Sequence, residues 1–238
     1  MDLGIKGRKA IVCASSRGLG KGCAMALAQA GCEVVVNGRD QKTLEATANE
    51  IAKATGSKII PVAADVGTPD GQAKLFAAMA SPDILINNNA GPPFRDFREL
   101  SRQQMIDGVV ANMIVAIELI QKVIDPMTQR GFGRIVNITS SAVKAPLAGL
   151  DLSSGARAGL TAFLAGVART VADKNVTINF LLPGPFDTDR LRSNIENNAK
   201  KGGISIEEAT KARMKTVPAK RFGTAEEFGN ACAFLCST

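Results

Sequence analysis

Short β-branched runs alternate with longer stretches of helical period from one end of the chain to the other, and this alternation constrains the fold more than any single residue. A strand that is followed by a helix returns to the sheet parallel to its predecessor, so repeated strand–helix units predict a parallel sheet covered by helices on both faces. Strands are expected at Lys9–Ala14, Glu33–Asn37, Lys58–Ala63, Ile84–Asn87, Arg134–Thr139 and Thr177–Leu182. Helices are expected at about Gly18–Ala30, Gln41–Thr55, Gly71–Ala80, Ser101–Arg130, Ser153–Asp173 and Ala225–Cys236. At 238 residues the chain fits one α/β domain, and no repeat, low-complexity tract or linker divides it. Between Pro183-Gly184-Pro185 and Pro218 runs a polar segment, Asp187 to Val217, broken by Gly202-Gly203. It reads as a two-piece mobile flap instead of a core element.

The missing residue types narrow the chemistry. The chain has no His, which excludes an imidazole base, a Ser-His-Asp triad and every His-ligated metal, and no metal site is expected. It has no Tyr and no Trp, so a phenol cannot serve as a proton donor. The net charge of +7 comes from basic residues that are scattered, with one local enrichment from Arg190 to Arg221. With so few aromatics for base stacking, no nucleic-acid partner is expected. The five cysteines, Cys13, Cys23, Cys32, Cys232 and Cys236, are odd in number and form no Cys-x-x-Cys pair. They read as reduced thiols of a cytoplasmic protein. Met1 to Arg8 lacks a signal-peptide apolar core, and no apolar run approaches the ~20 residues that span a bilayer, so no membrane partner is expected.

After the first strand comes Cys13-Ala14-Ser15-Ser16-Arg17-Gly18-Leu19-Gly20, opening directly into a helix. Glycines at such a turn let the backbone approach a pyrophosphate, which the helix N-terminus then stabilises. The second strand ends Val36-Asn37-Gly38-Arg39, where an NAD enzyme would place a carboxylate on the ribose hydroxyls. Gly38 and Arg39 stand there instead. A guanidinium matches a 2′-phosphate and Arg17 can supply a second, so NADP(H) is favoured as cofactor. Candidate cofactor residues in this region are Ala14, Ser16, Arg17, Gly18, Leu19, Gly20 and Arg39.

With Asp65-Val66, Asn88-Asn89-Ala90-Gly91, Asn112, Gly133-Arg134-Ile135-Val136-Asn137-Ile138-Thr139-Ser140 and Asn179-Phe180-Leu181-Leu182-Pro183-Gly184, the chain resembles the short-chain dehydrogenase/reductase family over nearly its whole length. Pro92-Pro93 and Arg221-Phe222-Gly223 add a likeness to 3-oxoacyl-acyl-carrier-protein reductases and their divergent relatives. The resemblance implies a doubly wound, Rossmann-like fold. It further implies that Asp65 and Val66 hold the adenine, that Asn89, Ala90 and Gly91 border the cofactor ribose, and that Pro183, Gly184 and Thr188 contact the nicotinamide amide. A homo-oligomer, dimer or tetramer, and a small carbonyl or acyl thioester substrate are implied as well. Family members carry one more strand after the last helix, and residues 1–238 are expected to form the domain without it.

The family's catalytic tetrad is Asn, Ser, Tyr and Lys. Asn112 and Ser140 match it, but the position thirteen after the serine is Ser153 and the one four further is Arg157. An aliphatic hydroxyl is a far weaker acid than a phenol, and Arg stays charged where Lys can relay protons. General acid catalysis is worth about 10² to 10⁴ in rate, so ordinary carbonyl reduction is expected to be slow. Three readings stand. The first is a divergent NADP-dependent reductase in which Ser140, Ser153 and Arg157 bind the substrate oxygen, with water, Asp151 or Lys144 supplying the proton. The second is changed chemistry of the haloalcohol dehalogenase kind. The third is a non-catalytic NADP(H)-binding sensor or oligomer partner.

Overall fold

The computed structural model describes residues 2–92 and 94–238, so Met1 and Pro93, both part of the sequence argument, lie outside the described residues. Six strands, β1 (Lys9–Val12), β2 (Glu33–Gly38), β3 (Ile59–Ala63), β4 (Ile84–Asn87), β5 (Gly133–Ile138) and β6 (Val176–Leu181), form one sheet. Their order is β3-β2-β1-β4-β5-β6 and every pairing is parallel. The chain winds outward from β1 in one direction and then, from β4, in the other. The reversal leaves a crevice at the carboxyl ends of β1 and β4, where ligands of doubly wound sheets bind.

Alternation along the strands explains the two-layered core. Ala10, Val12, Val34, Val36, Ile84 and Ile86 point to one face, with Leu27, Leu44, Ile51 and Phe228. Ile11, Val35, Leu85 and Ile135 point to the other, with Leu75, Leu119, Val123, Leu160 and Leu164. The first face is covered by α1 (Gly18–Gln29), α2 (Gln41–Thr55) and α9 (Ala225–Leu235), the second by α3 (Pro69–Ala78), α5 (Val115–Arg130) and α6 (Asp151–Val171). Each fully buried Leu or Ile contributes about 1.5–3 kcal/mol. Helix α1 meets α9 so closely that a Cβ on Gly229 would overlap the Gly22 carbonyl oxygen.

Three expectations change. The single helix over Ser101–Arg130 is α4 (Arg102–Val109) and α5 joined by a π-helical stretch, Val110–Ile114, with Asn112 inside it. The helix expected from Gly71 begins at Pro69, because Thr68 accepts a hydrogen bond from the Gly71 N–H and so caps it two residues earlier. The Asp187–Val217 segment contains two capped helices, α7 (Asp189–Gly202) and α8 (Ile206–Lys215), hinged at Gly203 with φ +62. Ile195, Ala199 and Ala209 give this pair a small core of its own, against Leu191 and Phe222. Its two-piece division holds, with each piece a regular capped helix and the buried contacts few.

All five cysteines are free and buried. Burial pushes the Cys13 and Cys32 thiols up to about 12, so neither is a thiolate at neutral pH. Among the described residues no helix is long and apolar enough to cross a membrane, and no His, Cys, Asp or Glu cluster could hold a metal ion.

Candidate active site

The loop from Cys13 to Gly20 is locked in place by its neighbours. Asn37, fully buried at the end of β2, accepts from the Ala14 N–H (3.0 Å) and donates to the carbonyls of Val62 (3.1 Å) and Ala64 (3.0 Å). The Asn37 N–H donates to the Ser15 hydroxyl (2.9 Å), which itself donates to the Val12 carbonyl (2.7 Å). Asn88 Nδ2 donates to the Ala14 carbonyl (3.1 Å). Side chains thus tie the loop to β1, β2, β3 and β4. Ala14 sits at φ +44, the left-handed region that glycine occupies freely, and Gly18 at φ +58. A Cβ on Gly20 would overlap the Ala14 carbonyl oxygen, which explains why only glycine fits there. Helix α1 opens with no side-chain cap and no acidic residue in its first turn, so its first N–H groups remain available to an anion.

A cleft of about 350 Å³ opens above this loop. Of the expected site residues it gathers Arg17, Gly18, Leu19, Gly20, Asn89, Gly91, Ser140, Ser153, Arg157, Pro183, Gly184 and Thr188. Ala14, Ser16, Arg39, Asp65 and Val66 are not part of its lining and lie around the ends of β1, β2 and β3. Ala90 and Asn112 line a neighbouring hollow beyond Gly91. Ser16 covers Gly38, where a Cβ would come within 2.9 Å of the serine Cβ, and Arg39 stays exposed beside it. Lys144 and Asp151 are absent from the cleft wall, and Asp151 accepts instead from the Gly149 N–H (3.0 Å).

Residues 153 and 157 are four apart on α6, which puts both on its cleft-facing side. Arg157 is only 8% exposed. Its Nε donates to the Ser153 hydroxyl (3.2 Å) and its Nη1 to the Ile138 carbonyl (2.7 Å). It forms no ion pair among the described residues, so it is not a structural cation held by a carboxylate. Burial first, and then the nearby Arg190, push its guanidinium down to about 10, which leaves it charged at neutral pH. Ser140 accepts from the Ala142 N–H (3.1 Å). Both cleft hydroxyls therefore have an acceptor lone pair engaged by an N–H, and both keep their O–H to donate. Behind Arg157 a cavity of about 20 Å³, room for a single water, is lined by Asn87 and Asn112, whose buried Oδ1 atoms have no partner.

Residues 8–199 match the family model described as short chain dehydrogenase. The chain belongs to that family. The NADPH-dependent reductase BacG of Bacillus subtilis is 32% identical over 235 residues, covering 97% of this chain and 91% of the relative. The 3-oxoacyl-[acyl-carrier-protein] reductase FabG of Aquifex aeolicus is 29% identical over 241 residues, covering 100% and 93%. The solved L-sorbose reductase of Gluconobacter frateurii, complexed with NADPH and L-sorbose, superposes with a TM-score of 0.93 at 26% identity, covering 100% of this chain and 92% of that one.

The residues around the candidate site that sequence reading did not single out are of two kinds. Ser15, Asn37 and Asn88 are buried or half-buried polar groups whose hydrogen bonds hold the loop from Cys13 to Gly20. Asn37 could have been found as a polar residue ending an otherwise apolar strand. Arg190, Arg213, Phe94 and Leu147 line the cleft from loops and helices distant in sequence; the two arginines fall in the basic enrichment from Arg190 to Arg221, whereas no local signal marks Phe94 and Leu147.

Proposed function

We propose that this chain is an NADP(H)-dependent reductase of carbonyl compounds, 3-oxoacyl reductase-like, whose site polarises the substrate oxygen with two hydroxyls and a guanidinium instead of a phenol. The observation that carries the reading is the direction of the hydrogen bonds at Ser153 and Ser140. Each accepts from an N–H and is left to donate into the cleft.

The loop fits such a cofactor. The uncapped α1 N-terminus and the glycines at 18 and 20 offer a pyrophosphate a cradle that any Cβ on Gly20 would destroy. Arg17 and Arg39 would hold the 2′-phosphate, and Asp65 and Val66 the adenine. Asn89, Ala90 and Gly91 would border the ribose, with Pro183, Gly184 and Thr188 on the nicotinamide amide. The names of BacG and the NADPH complex of sorbose reductase support the same choice. When bound, the cofactor supplies the hydride.

The protein's part is electrostatic. Ser140 and Ser153 donate to the carbonyl oxygen, and Arg157, fixed on Ser153, stabilises the negative charge that grows there. Because Arg157 is desolvated, its field is stronger than that of a surface arginine. The proton comes from solvent water that reaches the open cleft, and the hydroxide left behind exchanges into bulk solvent. Buried free thiols accord with the reducing cytoplasm. Met105, Ile106, Val109, Val110 and Ile114, exposed at helical spacing, offer a second copy of the chain an apolar stripe to cover.

One observation favours the reading as a non-catalytic NADP(H) binder. Among the described residues the single acidic one lining the cleft is Asp189, and it lies by Arg17 (3.8 Å) and is bonded to neither Ser140 nor Ser153. The deciding experiment follows NADPH oxidation with 3-oxoacyl thioesters, quinones and diketones while NADPH affinity is measured in parallel. Turnover supports the reductase. Tight binding with no turnover on any carbonyl replaces it with the binder.

A further inference from the structure

The catalytic cleft holds more positive charge than carbonyl reduction requires. Arg157, Arg190 and Arg213 all line it. Arg157 forms no ion pair, and its free Nη2 has no hydrogen-bond partner among the described residues. Arg190 reaches across from α7, its guanidinium 3.0–3.1 Å from where a Cβ on Gly91 would stand, and donates to the Pro92 carbonyl (3.3 Å). It too forms no ion pair among the described residues. The lone lining carboxylate among the described residues, Asp189, is shared between Arg17 (3.8 Å) and Arg192 (3.7 Å). Two like charges therefore line one cleft, the buried Arg157 and the exposed Arg190, and among the described residues no carboxylate pairs with either. Behind burial, the nearby Arg190 adds to the downward push on the Arg157 guanidinium, as a like charge does. A buried unpaired charge is costly, and a ligand anion would offset that cost.

We propose that the substrate is an oxo acid whose free carboxylate binds between Arg157 and Arg190, with Arg213 adding to the field. The proposal rests on the reductase reading and narrows its substrate. The anion must be close to the reacting carbonyl, because Arg157 is bonded to Ser153, which donates to that carbonyl. A phosphate at the far end of an acyl thioester arm would lie too distant. The pyrophosphate of the cofactor belongs at the α1 N-terminus, whereas Arg190 extends to Gly91 and Pro92 on the β4 side. Phe94, Leu147 and Leu150 make part of the wall apolar, so an oxo acid with a hydrocarbon tail fits both halves.

The test compares kcat/KM for 3-oxooctanoate and for its neutral methyl ester at saturating NADPH, in the wild type and in Arg190→Gln/Arg213→Gln. A preference for the acid of about tenfold or more is expected, given charge-assisted bidentate binding, and the double variant should bring the ratio towards one. An ester reduced as well as the acid overturns the proposal and leaves the reductase reading intact. If neither is reduced, the wider carbonyl panel judges the reductase reading, and calorimetry of both probes on the NADPH-loaded protein decides the carboxylate site. Binding of the acid alone supports the carboxylate site, and equal or no binding overturns it. Two further results would overturn it. One is a preference for 3-oxooctanoyl-coenzyme A over the neutral N-acetylcysteamine thioester that the variant abolishes. The other is a loss of NADPH affinity in the variant as large as its loss of acid preference.

Discussion

Replacing Arg157 by lysine would turn a permanently charged group into one that titrates in a measurable range. Desolvation, with a smaller contribution from Arg190, pushes the Arg157 guanidinium down to about 10. The same surroundings acting on a lysine, whose unperturbed value is about 10.4, would bring it to roughly 8. The folded value is then below the unfolded one, so between about pH 8 and about pH 10.4 the unfolded chain binds more protons than the folded chain. Stability must rise with pH across that window, by about 3 kcal/mol at roughly 1.4 kcal/mol for each pH unit, and show no such slope below it. Activity should move the opposite way. A neutral amine no longer polarises Ser153, so kcat/KM of Arg157→Lys should fall roughly tenfold for each pH unit above about 8, while the wild type holds its value to near pH 10. Arg157→Met, uncharged at every pH, supplies the baseline for both curves. Urea unfolding and steady-state NADPH oxidation over the same pH series make the measurement. A lysine variant whose stability and activity are both flat to pH 10 would refute the premise that burial without a carboxylate partner governs this position.

Ser153→Tyr with Arg157→Lys should raise the rate on a simple 3-oxo ester by ~10² or more by restoring a tunable phenol, with Ser153→Tyr alone giving less than the pair; a folded, NADPH-binding double variant with no gain would show that the substrate site lies elsewhere. Arg39→Ala should weaken NADPH by about tenfold and NADH hardly at all, read by quenching of nicotinamide fluorescence. Equal losses for both cofactors would remove Arg39 from the 2′-phosphate site. Ala14→Gly should stabilise the fold by about 0.5–1 kcal/mol, since relief of the left-handed φ exceeds the entropy that glycine adds to the unfolded chain; thermal unfolding at a lowered midpoint would contradict this. Amides of α7 and α8 should exchange faster than those of the central strands, because their shared core is only a few residues. Exchange as slow as in β1 and β4 would mark the pair as a fixed wall of the cleft.

The strands were legible because parallel strands buried on both faces are continuous runs of Val, Ile and Leu, and Ile84–Asn87 coincides with β4 to the residue. Strand ends were less so. Cys13 and Ala14 continue the apolar run of β1, yet Cys13 bonds across to Ile86 while Ala14 turns to φ +44, a change forced by Asn37 from another strand. The π-helical stretch at Val110–Ile114 has no local signature, since one extra residue in a turn alters the hydrophobic period too little to notice over thirty residues. Helices α7 and α8 escaped for a different reason. Their apolar stripe, Leu191, Ile195 and Ala199, is thin, and a strongly polar composition masked it. The capping signals at Thr188, and at Ser205 with Glu208, were in plain view.

At the site the division follows sequence separation. A count of thirteen and then four residues was enough to set Ser153 and Arg157 on one face of α6, because helical geometry is local. What Arg157 lacks is not local. An arginine replacing a lysine is equally compatible with a partnered structural cation and with an open electrophile, and the two are separated only by whether β5, α7 or α8 brings a carboxylate to it. Among the described residues they bring none to it: Arg190 and Arg213 line the same cleft, and Asp189 of α7 lies with Arg17 and Arg192. A fold that leaves a desolvated guanidinium without a carboxylate forgoes the compensation that an Asp or Glu would have supplied. That arrangement is intelligible where the missing anion arrives with the ligand, which is the reading that the comparison of oxo acid with neutral ester tests.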